Sequence, residues 1–321
     1  HRRHRINPVP LVGSSAPAPS GSVAPPPIDA VPMRHPWRWV SAVVIVALVG
    51  LFIYGAATNK AYGWSTYFDY LFNERILLGV LNTLQLTVYA MVLGVVLGIA
   101  LSVMRLSPNP VFRWVAWVFL WVFRGTPVYV QLVFWGLVPT IYQNIQLGVP
   151  FGPSLLHINL QSLSIPFLLA VIGLGLNEAA YMAEIIRAGI TSVPEGQTEA
   201  STALGMSWGL TMRRTVLPQA MRVIIPPTGN ELISMWKTTS LVTAVPYSYD
   251  LYSIASREIA ARIFEPVPLL LVAATWYLVV TSILMVGQHY LERYFSRGIS
   301  RKLTAKQLLA LAKAQTEAGR V

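Results

Sequence analysis

Six charge-poor runs, at residues 39–57, 76–104, 114–140, 166–190, 223–245 and 266–288, are each about the length that carries a helix across a bilayer. A helix rises 1.5 Å per residue, so about 20 apolar residues cross a hydrocarbon core of roughly 30 Å. No other feature constrains the fold so strongly, because backbone in lipid must satisfy its own hydrogen bonds. The expectation is an all-α polytopic membrane protein of about six transmembrane helices. Composition agrees: 54% of the 321 residues are hydrophobic and 12% charged, about half the charge of an ordinary soluble domain, which excludes a water-soluble globule. The stretch 125–177 contains no Asp, Glu, Lys or Arg. Its polar, Pro-rich middle, from Gln143-Asn144 to Gly152-Pro153, is expected to be a loop or re-entrant segment.

A net charge of +11 could suit nucleic acid, but the cations cluster at the ends of apolar runs, where they orient a membrane protein instead. One parity of connections, comprising the N-terminal arm, 105–113, 187–222 and the tail after 289, holds 18 Lys and Arg. The opposite loops hold only Lys60, Arg75, Arg257 and Arg262. By the positive-inside rule both termini belong in the cytoplasm. Residues 7 to 36 carry nine prolines among Ala, Ser and Gly, so 1–36 is expected to be a disordered cytoplasmic arm. The first residue is His1, so a trimmed start is expected, and Arg2, Arg3 and Arg5 precede too long a polar stretch for an ordinary signal peptide. Residues 299–321 form a basic tail with apolar residues at roughly helical spacing, expected to lie in the cytoplasm or on the membrane surface.

Catalysis on this chain has little support. There is no Gly-x-x-x-x-Gly-Lys-Ser/Thr loop, no His-Glu-x-x-His helix and no cysteine, so the usual nucleotide cradle, zinc helix and thiol nucleophile are all missing from the sequence. No metal or cofactor is expected on this chain.

The unusual connection is 191–218. Ser192, Pro194 and Glu195 read as a helix N-cap, an early proline and a capping-box partner. Small residues follow at Ala200, Ser201, Ala203 and Gly205, giving a face that another protein could approach closely, with Gly205 permitting a turn into a second piece ending before Pro218.

Glu199-Ala200-Ser201, with Gly205 six residues after the Glu and Leu217-Pro218 twelve further on, resembles the EAA signature of ABC importer permeases. Four further segments, Arg124-Gly125-Thr126-Pro127, Ala180-Tyr181-Met182-Ala183-Glu184, Ile225-Pro226-Pro227-Thr228-Gly229-Asn230-Glu231 and Lys237-Thr238-Thr239-Ser240-Leu241, resemble the polar amino-acid permease family for histidine, glutamine, glutamate and arginine uptake. The resemblance covers about 76–298, the permease domain, and leaves 37–58 as an extra N-terminal helix. Three positions depart from the family pattern: Ser201 replaces Ala, Thr215 replaces an aliphatic residue, and Thr238 replaces Asp.

The resemblance implies a type I importer in the bacterial inner membrane. An identical or similar permease subunit would complete the pathway, a cytoplasmic ABC ATPase dimer would hold ATP and Mg, and an extracytoplasmic solute-binding protein would deliver a polar amino acid. Glu195, Glu199, Ala200, Ser201 and Gly205 would couple to the ATPase. Nucleic acid is not an expected partner. The rival reading is an ion-coupled secondary amino-acid carrier, which should show an internal repeat between its halves; inspection finds none.

An ionisable group at mid-bilayer costs about 2.5–3.5 kcal/mol on insertion scales, so Arg124, Glu178, Glu231 and Lys237 should face a bundle interior or a hydrophilic path. With Thr239 and Ser240 they are the candidate substrate pathway: a zwitterion needs a cation near its carboxylate and acceptors near its ammonium group. The alternative is that they pair with one another. Glu231 and Lys237, six residues apart, differ by about 240° around a helix, which disfavours their mutual pair. Glu184 and Arg187, three apart, read as a surface pair. Gly125-Thr126-Pro127 interrupts a span beside Arg124, either as a pathway lining or as a packing kink.

Overall fold

The computed structural model describes residues 36–142, 144–148, 154–159 and 166–295. The expected arm lies outside them apart from Pro36, and the 299–321 tail lies wholly outside. Helix α1 (Pro36–Thr58) is largely apolar, and none of residues 37–58 is buried. It forms a unit distinct from the remainder of the protein.

In the remainder, a short 3-10 turn (Lys60–Tyr62) leads into α2 (Trp64–Leu71), whose Tyr67 hydroxyl and Leu71 carbonyl bond Thr275 at 3.0 Å and Trp276 Nε1 at 2.7 Å. Helix α3 (Glu74–Leu106) starts at Asn73, whose side chain accepts from the Arg75 amide at 3.0 Å. Helix α4 (Pro110–Gly125) starts the same way, on Asn109 with a proline at its first position. Helix α5 (Val128–Ile141) follows at 107° to α4, so the single span expected over 114–140 is a broken one. Thr126-Pro127 supplies the break, since proline cannot donate to the preceding turn.

The middle of the uncharged stretch differs from its expected form. Strands β1 (Asn144–Gly148) and β2 (Ser154–Asn159) pair antiparallel, with Asn144 opposite Asn159 and Leu147 opposite Leu156. Apolar and polar residues alternate from Asn144 to Leu147 and again from Leu156 to Asn159, a strand pattern that a loop assignment overlooks.

Helix α6 (Pro166–Thr191) packs extensively along α3 and then against α9. Beyond it come α7 (Glu195–Ala203), α8 (Trp208–Thr211), a π-helical segment (Met212–Val216) and α9 (Leu217–Thr238), which runs into a 3-10 turn (Thr239–Ala244). Short α10 (Leu251–Ser253), a second π segment (Ile254–Ile259) and α11 (Ala260–Ile263) lead to α12 (Pro266–Phe295). Helices α1, α3, α6 and α12 and the bent pair α4–α5 have the length and apolarity to cross a membrane. Helix α9 has the length but carries Pro226, Pro227, Asn230, Glu231 and Lys237; it packs against α6 and α12, with Glu231 half-buried and Asn230 and Lys237 exposed.

Two glycines explain the α3–α6 contact. Gly94 and Gly98, four apart on α3, stand where a Cβ would come within 2.6 Å of Glu178 and Met182 on α6. Helices approach this closely only through small residues, the usual way that lipid-embedded helices gain contact.

Candidate functional site

The break between α4 and α5 frees backbone carbonyls inside the bundle, and two amide side chains take them up. Gln131 Nε2 donates to the Phe123 and Thr126 carbonyls at 2.9 and 3.0 Å. Asn177 Nδ2 of α6 donates to Phe123 O at 3.1 Å and to Gln131 Oε1 at 3.0 Å. Freed backbone deep in a membrane protein persists where side chains or a polar cavity satisfy it, and here both are present.

A cavity of about 390 Å³ opens against this joint, lined by Thr126, Asn177, Glu178, Tyr181, Glu231 and Ser234 among others. Glu178 is 4% exposed and its Oε1 has no hydrogen-bond partner within the chain. Glu231 reaches the same space from α9. The volume is within the range of small-solute sites.

Of the six residues named from sequence for the pathway, the structure brings together Glu178 and Glu231. Arg124 turns instead to Glu184, at 3.6 Å, and lies 5.6 Å over the Tyr181 ring. Glu184 also accepts from Arg187 Nε, so the surface pair read from spacing is one side of a three-residue cluster. Lys237 and Ser240 line a second cavity of about 650 Å³ with Tyr129, Tyr252 and Tyr277. Thr239 is fully buried and donates to the Trp236 carbonyl at 2.6 Å, which removes it from either lining. No ion pair joins Glu231 to Lys237 among the described residues, as their angular separation requires. Sequence reasoning passed over Gln131 and Asn177; their signal was an amide inside an apolar run.

The handle between α6 and α9 begins where expected but is capped differently. Pro194 occupies the N-cap position of α7 without a side-chain bond, and Ser192 Oγ instead donates to Gly189 O at 2.7 Å, closing the end of α6. Gly205 has φ +75°, the left-handed turn that its lack of a Cβ allows. The second piece does not stop before Pro218; α8 winds through the π segment straight into α9, with Pro218 directly after the π turn, whose altered winding takes the place of the regular turn that proline would disrupt. Glu195, Glu199, Ala200 and Gly205 are exposed, and Leu204 and Trp208 are 81% and 75% exposed. Ser201 is buried, so it faces the bundle rather than outward. Among the described residues no group of three or more His, Asp or Glu could hold a metal ion.

Two carboxylates and an amide turned toward a hollow within a bundle of largely lipid-length helices suit the passage of a hydrophilic solute, the property of a membrane permease. Residues 90–297 match the family described as binding-protein-dependent transport system inner membrane component, and the chain belongs to that family. It is 64% identical over 299 residues to the arginine transport system permease protein ArgU of Corynebacterium glutamicum, covering 92% of each chain. The histidine/lysine/arginine/ornithine transport system permease protein HisM of Salmonella typhimurium is 36% identical over 227 residues, 70% of this chain and 91% of HisM. Among solved structures, an amino acid ABC transporter crystallised with histidines matches with TM-score 0.58 and 30% identity over 74% of this chain and 99% of that one. The inward-facing MetNI methionine ABC transporter shares the fold, with TM-score 0.55 and 17% identity over 70% of this chain and 97% of its own.

Proposed function

We propose that this permease imports a cationic amino acid of the arginine type, driven by ATP hydrolysis on a separate cytoplasmic ATPase. The observation that carries the substrate class is the pair Glu178 and Glu231 facing one cavity. A guanidinium leaving water needs carboxylates to offset its desolvation, and a planar fork of donors suits two acidic groups better than one. ArgU, 64% identical, is named for arginine transport, which supports the same class.

The ATPase dimer, carrying ATP and Mg, seats on the exposed face of α7 formed by Glu195, Glu199, Ala200 and Leu204, with Gly205 shaping its end. An identical or similar permease completes the pathway, and a solute-binding protein delivers the amino acid from the opposite side. The Lys and Arg bias puts both termini and α7 in the cytoplasm of a bacterial cell. Residues 76–298 form the transporting domain, and 37–58 an added lipid-facing helix. Alternating access then follows from tilting of the helices joined to α7, with no bond-breaking chemistry on this chain.

Proteoliposomes holding the permease, its ATPase and its binding protein test this directly. Labelled arginine should accumulate only with hydrolysable ATP, and Glu199→Lys should lose uptake while inserting normally. Accumulation driven by an ion gradient without ATP would overturn the reading.

A further inference from the structure

The side of α7 that faces the bundle carries a closed ring of hydrogen bonds. Ser201 Oγ lies 2.8 Å from the Gln197 carbonyl and 2.9 Å from Thr215 Oγ1. A carbonyl only accepts, so the arrangement that satisfies every oxygen has Ser201 donating to Gln197 and Thr215 donating to Ser201. The Thr215 carbonyl in turn accepts from Gln219 Nε2 at 2.9 Å, and the same nitrogen reaches Gln197 Oε1 at 3.4 Å. Two pairs spaced i,i+4, Gln197/Ser201 and Thr215/Gln219, therefore close on each other across two helical segments.

The placement gives the ring its meaning. Thr215 lies in the π segment Met212–Val216, immediately before the helix that carries Glu231 to the cavity. A π turn is a local departure from regular winding, often found at functional positions. Motion entering through α7 has to cross that turn before it reaches α9, and the ring bridges it from outside. Ser201 and Thr215 are also two of the three positions where the chain departs from its family's pattern, and the structure joins those two departures in one bond.

We propose that Gln197, Ser201, Thr215 and Gln219 form a clasp that makes α7 and the base of α9 one rigid body, so that displacement of α7 is delivered to the cavity. Ser201 and Thr215 are positioning residues that touch no solute. This rests on the ATP-driven reading above.

The test uses the full complex in proteoliposomes and measures arginine taken up per ATP hydrolysed. Thr215→Val keeps the shape and removes the donor. It should leave ATPase co-purification and hydrolysis in place while lowering uptake per ATP by about two- to tenfold, the equilibrium factor of one net hydrogen bond. Ser201→Ala with Thr215→Val removes the same bond, so uptake per ATP should fall about as far as in Thr215→Val alone, and recovery to the unaltered value would overturn the clasp. Unchanged uptake per ATP in Thr215→Val overturns the clasp, whereas failure of the unaltered chain to bind an ATPase overturns the parent reading instead.

A second arm covers misfolding of the valine variant. The chain has no cysteine, so Ser201→Cys with Thr215→Cys introduces a single pair. The reduced form lacks the Ser201–Thr215 bond and should show lowered uptake per ATP, and oxidation, which joins the two segments covalently, should restore it. A pair that never crosslinks, or an oxidised form that stalls until reduced, overturns the proposal.

Discussion

The α3–α6 seam makes a quantitative test of how this bundle is held. At Gly98 an added Cβ would lie 2.6 Å from the Met182 Cβ, 3.1 Å from the Ala183 amide nitrogen and 3.2 Å from the Met182 carbonyl carbon. Carbon atoms pack at roughly 3.5–4.0 Å, so the helices must part by about 1 Å. Two of the three obstacles are backbone and cannot rotate away. Overpacking of this kind costs about 1–3 kcal/mol. Alanine also removes glycine's helix penalty, worth about 1 kcal/mol in the other direction. Gly287, in α12 with nothing within 4 Å of its would-be Cβ, provides the control, since Gly287→Ala gains the propensity without the clash. The difference between the two variants then isolates the packing cost. In a domain of this size each kcal/mol moves the melting midpoint by about 2–4 °C, so Gly98→Ala should melt roughly 2–12 °C below Gly287→Ala. Tryptophan fluorescence during heating in one detergent reads this, and equal midpoints for the two variants would refute the close-approach argument.

Gly94→Ala meets a side chain instead, with a Cβ 2.6 Å from Glu178 Cγ, so arginine uptake should fall further than its melting midpoint does; a parallel decline in both would contradict this. Leu204→Glu changes a residue that is 81% exposed, so the fold should keep its stability within about 0.5 kcal/mol while ATPase co-purification is lost. Glu231→Gln should weaken uptake of arginine more than that of a neutral amino acid offered to the same complex, and an equal decline would remove the carboxylate from substrate selection. Asp250, fully buried, accepts from the Ser253 amide at 3.1 Å, and burial pushes its pKa above the usual carboxylate value while that bond pulls it back. The native state therefore holds the proton more tightly than the unfolded chain. This contribution to stability is complete below the ordinary carboxylate range and is lost as pH rises through the raised value. Asp250→Asn keeps the helix cap, so its melting midpoint should decline less than that of the unaltered chain as pH rises from the ordinary carboxylate range; an identical slope would refute the assignment.

The lipid-length helices were legible because a bilayer leaves one reading for a long uncharged run. The broken span was legible in part, since Thr126-Pro127 announced a break but not its 107° angle, which depends on Gln131 and Asn177 receiving the freed carbonyls. The strand pair 144–148 and 154–159 escaped because the proline and glycine between them in sequence signal a loop more loudly than two short, partly alternating runs signal strands. Glu178 and Glu231 were recognisable as costly charges in lipid, yet their convergence on one cavity comes from the rotation of α6 against α9, a tertiary fact. Arg124 shows the limit most clearly: its choice of Glu184, 60 positions away in sequence, follows from how α4 meets α6, which no local spacing encodes.

The π segment Met212–Val216 also sets an azimuth. Each residue advances an α-helix by about 100°, and a π turn accommodates an extra one without lengthening the rod appreciably. Deleting one residue there would restore uniform winding and leave Glu231 close to its present bearing, whereas drawing the same residues into regular α winding would swing it by about 100° and point it at a neighbouring helix. The compass bearing of that acidic group is thus written some 15 to 19 residues upstream, in a five-residue stretch that touches no solute.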